Sequence, residues 1–249
     1  MPSWTPSPEW KDQDAFIIGG GSSLQGFDFN QLQGKNVIGC NDAFRLGPDI
    51  VQICLFGDSS WWEHNKQDLR YFLGRVVTCA PTCLSLNLDW LLQMKRIRNG
   101  LHEGDTLGWN YSTGAAAINL AVTLGATRIF LLGFDLGMQN GKFHWHNYNL
   151  KRLNTEPFVR FTRGFHTLAK SLGRLPNVGV FNVTDGSSKL PVFDRIPMLE
   201  FLSTIKTLCP SPQPALAGPP TRVAVLIPAT EPPTQPGLLQ GKAREELTV

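Results

Sequence analysis

The chain has 249 residues, 42% of them hydrophobic, and 23 Lys and Arg against 20 Asp and Glu give a formal net charge of +3. That length supports one sizeable core. The basic residues are mixed with acids instead of gathered in one run, which permits an anionic substrate without demanding nucleic acid. The first residues, 1–6, show no basic region followed by an apolar stretch, and no apolar run is long enough to span a bilayer. A cytoplasmic location is therefore expected. Five cysteines (Cys40, Cys54, Cys79, Cys83, Cys209) are an odd number in mostly apolar surroundings, the pattern of buried thiols. Cys79 and Cys83 lack a second ligand pair for zinc, so no metal site is assigned.

In chain order, residues 15–18 (Ala-Phe-Ile-Ile) form a short apolar run that stops at Gly19-Gly20-Gly21, the pattern of a buried strand entering a tight turn. A helix is expected to begin at Ser22 or Ser23. Residues 37–40 make a second strand ending at Asn41-Asp42, residues 50–56 a third ending at Gly57-Asp58, and residues 75–79 a weaker fourth. Residues 88–98 suit an amphipathic helix. Ser112-Thr113-Gly114 then opens a helix rich in small residues over 115–124, with Gly125 where a C-terminal cap glycine belongs. Residues 128–132 read as a central strand ending in Gly133-Phe134-Asp135, followed by a helix over 158–172, a strand over 178–183 and a closing helix over 198–207.

This alternation predicts an α/β fold: a Rossmann-like, doubly wound, mostly parallel sheet with helices on both faces. Right-handed crossovers then bring the strand ends to one edge. From Cys209 onward prolines become frequent, so the expected domains are a nucleotide-binding unit over 1–208 and a Pro-rich, largely disordered tail over 209–249. A strand-like run at 223–227 interrupts that tail and could add an edge strand.

The glycine cluster has a physical use, because a phosphate needs close backbone approach and outward N–H groups. Gly19, Gly20, Gly21, Ser22 and Ser23 are thus candidate phosphate ligands, although the run is neither a GxGxxG nor a Walker loop and a simple tight turn is the alternative. Asn41 and Asp58 should point from the carboxyl edge into the same crevice and suit ribose, base or sugar hydroxyls; Asp42 and Asp58 could instead cap helices. Ser112, Thr113 and Gly114 offer a second anion cradle or a plain N-cap. His144 and His146 flank Trp145, and in extended backbone their imidazoles lie on one side. They fit a metal pair with Asp135, or a general base beside a phosphate ligand, or a surface pair. His64 is a weaker candidate, and Trp61 and Trp62 fill core or line a stacking wall.

These motifs carry a resemblance. Residues 17–24 (Ile-Ile-Gly-Gly-Gly-Ser-Ser-Leu), Cys40-Asn41, Ser112-Thr113-Gly114 with its alanine-rich helix, and residues 132–135 (Leu-Gly-Phe-Asp) resemble the ordered motifs of a transferase group. That group includes small bacterial sialyltransferases using a CMP-activated sugar, flagellin-glycosylating motility-associated factors, and MptE-like 6-hydroxymethylpterin diphosphokinases. The similarity covers roughly residues 14–185. In those sialyltransferases the corresponding positions surround the nucleotide, which implies Gly20, Gly21, Ser22, Asn41, Ser112, Thr113, Gly114, Gly133 and Asp135 here. The layout of residues 141–146 (Gly-Lys-Phe-His-Trp-His) after Asp135 resembles MptE-like proteins encoded by bacteriophages. The chain departs from the group in having Ser22 where a proline is common, and the group's catalytic His and phosphate-binding Tyr lack clear counterparts.

The reading that follows is a nucleotide-dependent transferase, first a glycosyltransferase with a CMP-type nucleotide-sugar donor. Gly133 belongs to its nucleotide site, and His144, His146 and Asp135 are the catalytic candidates. Two alternatives are an MptE-like diphosphokinase using ATP, with Asp58 and Asp135 holding Mg²⁺, and a non-catalytic nucleotide-binding protein. The partner is a nucleotide-linked small-molecule donor; the acceptor and any oligomerisation are left open.

Overall fold

A computed structural model describes residues 3–138, 141–146, 156–186, 188–190 and 192–207. In chain order they form β1 (Asp14–Ile18), β2 (Val37–Cys40), β3 (Ile53–Phe56), α1 (Ser59–Leu69), β4 (Arg75–Thr78), β5 (Leu91–Gln93), β6 (Lys95–Ile97), β7 (Thr106–Gly108), α2 (Thr113–Thr123), β8 (Arg128–Leu132), α3 (Glu156–Leu172), β9 (Gly179–Val183), β10 (Asp194–Ile196) and α4 (Met198–Thr207). Eight strands make one sheet in the order β10-β9-β8-β1-β2-β3-β4-β5, and β6 and β7 pair separately. Every strand pair is parallel. The α/β, doubly wound layout expected from the sequence is the one observed.

The central strands are apolar throughout because both faces of the sheet are covered. Ala15 and Ile17 of β1, with Ile129 and Leu131 of β8, face one core that α2 and α3 close with Ala117, Leu120, Phe165 and Leu168. Phe16, Ile18, Phe130 and Leu132 face the other, closed by Trp61, Trp62 and Leu69 of α1 and Phe201 and Ile205 of α4. Trp62 stacks on Phe56 with ring centroids 5.4 Å apart, so these tryptophans are core residues and line no open wall. Cys40, Cys54, Cys79 and Cys83 are buried, free thiols. No helix among the described residues is long and apolar enough to cross a membrane.

Three expectations are corrected. Residues 88–98 are not a helix: Leu91–Gln93 extends the sheet beside β4, and Lys95–Ile97 pairs with β7. The main chain there also bonds to distant partners, Trp4 N to Gln93 O at 2.7 Å and Met94 N to Thr78 O at 2.9 Å, which outweighs a local helical spacing. The glycine loop leads into one 3₁₀ turn, Ser22–Leu24, instead of a helix. Gln25 is extended, with φ at −63° and ψ at 120°, and Gly26 follows with φ at 82°, so no second helical turn forms; Ser23 N, a first-turn amide that a helix would leave free, is taken by the Asp135 side chain at 2.8 Å. The third strand begins at Ile53, after a turn in which Val51 N bonds back to Gly47 O. The Pro-rich segment 209–249, with its run at 223–227, lies outside the described residues.

One buried amide ties the β6–β7 unit to α2. Asn119, fully buried, accepts from Gly108 N at 2.8 Å and His102 N at 3.0 Å and donates to His102 O at 2.7 Å. Asn119→Ala would strand three backbone groups, each costing about 1–3 kcal/mol when buried and unpaired. A fall in melting temperature of roughly 10 °C is expected, since about 1 kcal/mol moves a domain of this size by ~2–4 °C. A fall under about 3 °C in scanning calorimetry would show that the segment is held by other contacts.

Candidate functional site

Strand order dictates where a crevice must open. The chain runs outward from β1 through β2, β3 and β4 to β5, then returns to β8 on the other side of β1. The loops after β1 and β8 therefore leave in opposite directions, the arrangement that creates a binding crevice at the carboxyl edge of an α/β sheet. A cavity of about 220 Å³ lies there. It is lined by Gly19, Gly20 and Gly21 after β1, Asn41 after β2, Asp58 after β3, Ser112, Thr113 and Gly114 at the start of α2, Gly133 and Asp135 after β8, and His144 and His146. Ser22 and Ser23 lie behind this wall. Ser22 Oγ donates to Lys142 O at 3.0 Å, and Ser23 N donates to Asp135 Oδ2 at 2.8 Å. His64 stands on the exposed face of α1, its ring against Ser60 O at 2.6 Å, outside the lining.

The glycine loop is locked to its neighbours on both sides. Gly19 N bonds to Leu132 O at 2.8 Å and Gly21 N to Gly133 O at 2.9 Å. Gly133 itself has φ at 73°, a left-handed conformation that turns its carbonyl toward Gly21. On the other side, His144 bridges to Gly21, Trp145 N donates to Gly20 O at 3.1 Å, and the Trp145 indole N–H donates to Gly19 O at 2.9 Å. Gly19 and Gly21 amides are thus spent within the protein. The helix N-terminus that faces the cavity belongs to α2. There Ser112 Oγ accepts from Ala115 N at 3.1 Å and so acts as N-cap, while the first-turn amides of Thr113 and Gly114, which helix geometry leaves without acceptors, lie at the cavity wall.

Polar groups converge below. Thr113 Oγ1 donates to Asn41 Oδ1 at 3.4 Å. Asp58 sits at the N-cap position of α1 but makes no side-chain capping bond. Its carboxyl opens onto the cavity, and desolvation by the surrounding protein raises its pKa, against the opposing pull of Arg96 and of a hydrogen bond from Thr113. Asp135 is 2% exposed; Oδ2 is engaged by Ser23, whereas Oδ1 is buried with no hydrogen-bond partner. Burial pushes the Cys40 thiol at the cavity wall up to about 12, so it stays protonated and is no nucleophile at neutral pH.

His144 and His146 stack nearly parallel, with centroids 5.2 Å apart and 11° between planes. The ring of His144 is held by Gly20 O, 3.2 Å from Nδ1. His146 is pushed down to about 4, by desolvation first and by the neighbouring charges of His144 and Arg45, with Asp42 opposing. It is therefore neutral at pH 7, the form that accepts a proton.

Several lining residues escaped the sequence reading: Asp42, Tyr111, Phe143, Phe158, Phe161 and Phe165. Asp42 carried the only signal, as the residue after Asn41 at a strand end. Phe158, Phe161 and Phe165 are indistinguishable in sequence from core residues of α3.

No protein-family model matches the chain, and no curated protein matches it. Solved structures do align. One is the sialyltransferase CstII from Campylobacter jejuni in complex with cytidine-5'-monophosphate, at 16% identity and TM-score 0.45 over 75% of this chain and 86% of that one. A second is CstII with CMP-3FNeuAc, at 14% identity and TM-score 0.44 over 75% and 87%. A third is the sialyltransferase CST-II with trisaccharide acceptor and CMP, at 13% identity and TM-score 0.45 over 76% and 88%. These are likenesses of chain path at low identity.

Proposed function

We propose that this protein is a nucleotide-dependent glycosyltransferase whose cavity holds the nucleotide half of an activated sugar. The observation that carries this reading is the convergence, at the point where strand order reverses, of a buried carboxylate with an unused oxygen, an α-helix N-terminus, and a histidine kept neutral. Asp135 Oδ1 offers an acceptor to a hydroxyl or amino group of the nucleoside, and Asn41 and Thr113 add groups of both polarities. The amides of Thr113 and Gly114 meet the phosphate charge that grows as the sugar departs. His146 takes the proton of the acceptor hydroxyl as its oxygen bonds to the anomeric carbon and the carbon's bond to phosphate breaks. The CMP-type donor comes from the motif resemblance. A metal-bridged diphosphoryl transfer would instead draw on Asp58 and Asp135 as ligands, with the Arg96 charge acting on Asp58.

Calorimetric titration with CMP, UDP, ADP and ATP·Mg, together with mass spectrometry of nucleotide released on denaturation, tests the assignment. A cytidine nucleotide is expected to bind without added metal. Binding of ATP only with Mg²⁺ would favour the diphosphokinase reading, and binding of none of the four would remove the nucleotide from the site.

A further inference from the structure

At the rim of the cavity the backbone adopts a conformation that needs an explanation. Asn110 and Tyr111 are consecutive and both left-handed, with φ of 44° and 64°, a region that residues with a Cβ avoid. Such strain persists only where the surroundings over-determine it, and it marks functional sites. Here the surroundings are visible. Asn110 is fully buried, and its side-chain amide accepts from Gly100 N at 2.8 Å and donates to Gly100 O at 2.8 Å and to Gly108 O at 3.2 Å. Gly164 of α3 presses so close that a Cβ there would stand 1.8 Å from Asn110 O. The product of this clamp is the placement of one side chain, Tyr111, on the cavity wall.

Two exposed arginines from separate elements meet that tyrosine. Arg98, just after β6, donates from Nε to Tyr111 Oη at 3.0 Å and has its guanidinium 5.4 Å from the ring centroid. Arg160, from α3, has its guanidinium 5.7 Å from the same centroid. Among the described residues neither is salt-bridged to a carboxylate. Two like charges gathered on one ring repel, and an oxyanion bound between them would relieve that repulsion while taking their planar, paired donors.

We infer that Tyr111, Arg98 and Arg160 form an acceptor subsite that selects a sugar bearing an oxyanion, a carboxylate or a phosphate ester. The inference rests on the glycosyl-transfer reading and names the acceptor class for that cavity. The sugar ring lies against Tyr111, and the arginines take its anion.

The test titrates the full chain, with CMP present, with glucose, glucuronate and glucose 6-phosphate, followed by ligand-observed NMR. At least one of the two anionic sugars is expected to bind roughly tenfold or more tightly than glucose, about the effect of one charge-assisted contact, with a preference that weakens as salt rises. The two anionic sugars separate carboxylate from phosphate recognition. In the Arg98→Gln/Arg160→Gln double variant the preference should vanish while CMP affinity stays at the wild-type value. Tyr111→Phe, which keeps the ring and loses the bond to Arg98, should narrow the preference and serves if the double variant fails to fold. Equal or undetectable binding of all three sugars to the wild type, or a preference that survives the double substitution, overturns the subsite. CMP binding is read in the same samples; its failure counts against the donor assignment, and the sugar titration alone decides this one.

Discussion

Gly21→Val is expected to lower the melting temperature by roughly 10 °C, and not merely to leave a folded protein that fails to bind nucleotide. A Cβ at position 21 would lie 2.6 Å from both Asp135 Oδ2 and Gly133 O, so it points into the junction of two loops and away from the space a phosphate would enter. That junction is already bonded, Gly21 N to Gly133 O at 2.9 Å and Ser23 N to Asp135 Oδ2 at 2.8 Å. Overpacking costs about 1–3 kcal/mol, and displacing a buried carboxylate from its donor adds about 1–3 more. Nucleotide binding should fall as well, because both loops line the cavity. Thermal unfolding and nucleotide titration of the same variant decide the matter. An unchanged melting temperature with binding abolished would mean that the glycine serves ligand approach, and that the loop junction tolerates the side chain.

His146→Ala is expected to reduce turnover about 10²–10⁴-fold with nucleotide affinity nearly intact, the usual cost of losing a general base. His144→Ala should also impair turnover, through loss of the ring stacked at 5.2 Å on His146 and of its contact with Gly20 O. The pH dependence is the sharper signature. Because His146 is held down at about 4, it remains an unprotonated base well below neutrality. The acid limb of kcat/KM should thus fall near pH 4, where an ordinary histidine would place it near about 6.5. Stability carries the matching sign. The unfolded chain takes up the proton first as pH falls, so His146 contributes stability above about pH 6.5 that is progressively lost toward pH 4. His146→Gln should flatten that slope. Full turnover in both alanine variants, with a competent donor and acceptor, would make the histidines structural parts of the strap over the glycine loop.

The resemblance and the strand-end pattern together pointed to most of the residues that now share the cavity. Asn41, Asp58, Thr113 and Asp135 were found because each follows an apolar run or opens a helix, and a parallel sheet brings such positions to one edge. His144 and His146 followed from alternation alone, since residues two apart in extended chain share a side. What chain order could not show was how the groups are used there. Nothing in Gly19-Gly20-Gly21 distinguishes amides open to a ligand from amides closed by Leu132 and Gly133.

The sequence by itself determined β1, β2, β8, β9, α2, α3 and α4, because strands buried on both faces are uniformly apolar and helices repeat their apolar residues every three or four positions. Tertiary structure decided the rest. Residues 91–97 became strands because β4 and β7 offered backbone partners. Ser23 N at the end of the glycine loop found its acceptor on Asp135, 112 residues away. Tyr111 reached the rim because Asn110 and Gly164 force a left-handed turn on it. The pKa of His146 was set first by burial, and by charges that include Asp42 and Arg45 of the turn after β2, far from it in the chain. In each case a deciding atom belongs to another segment and meets its partner only after folding, and no local spacing of residue types encodes such a contact.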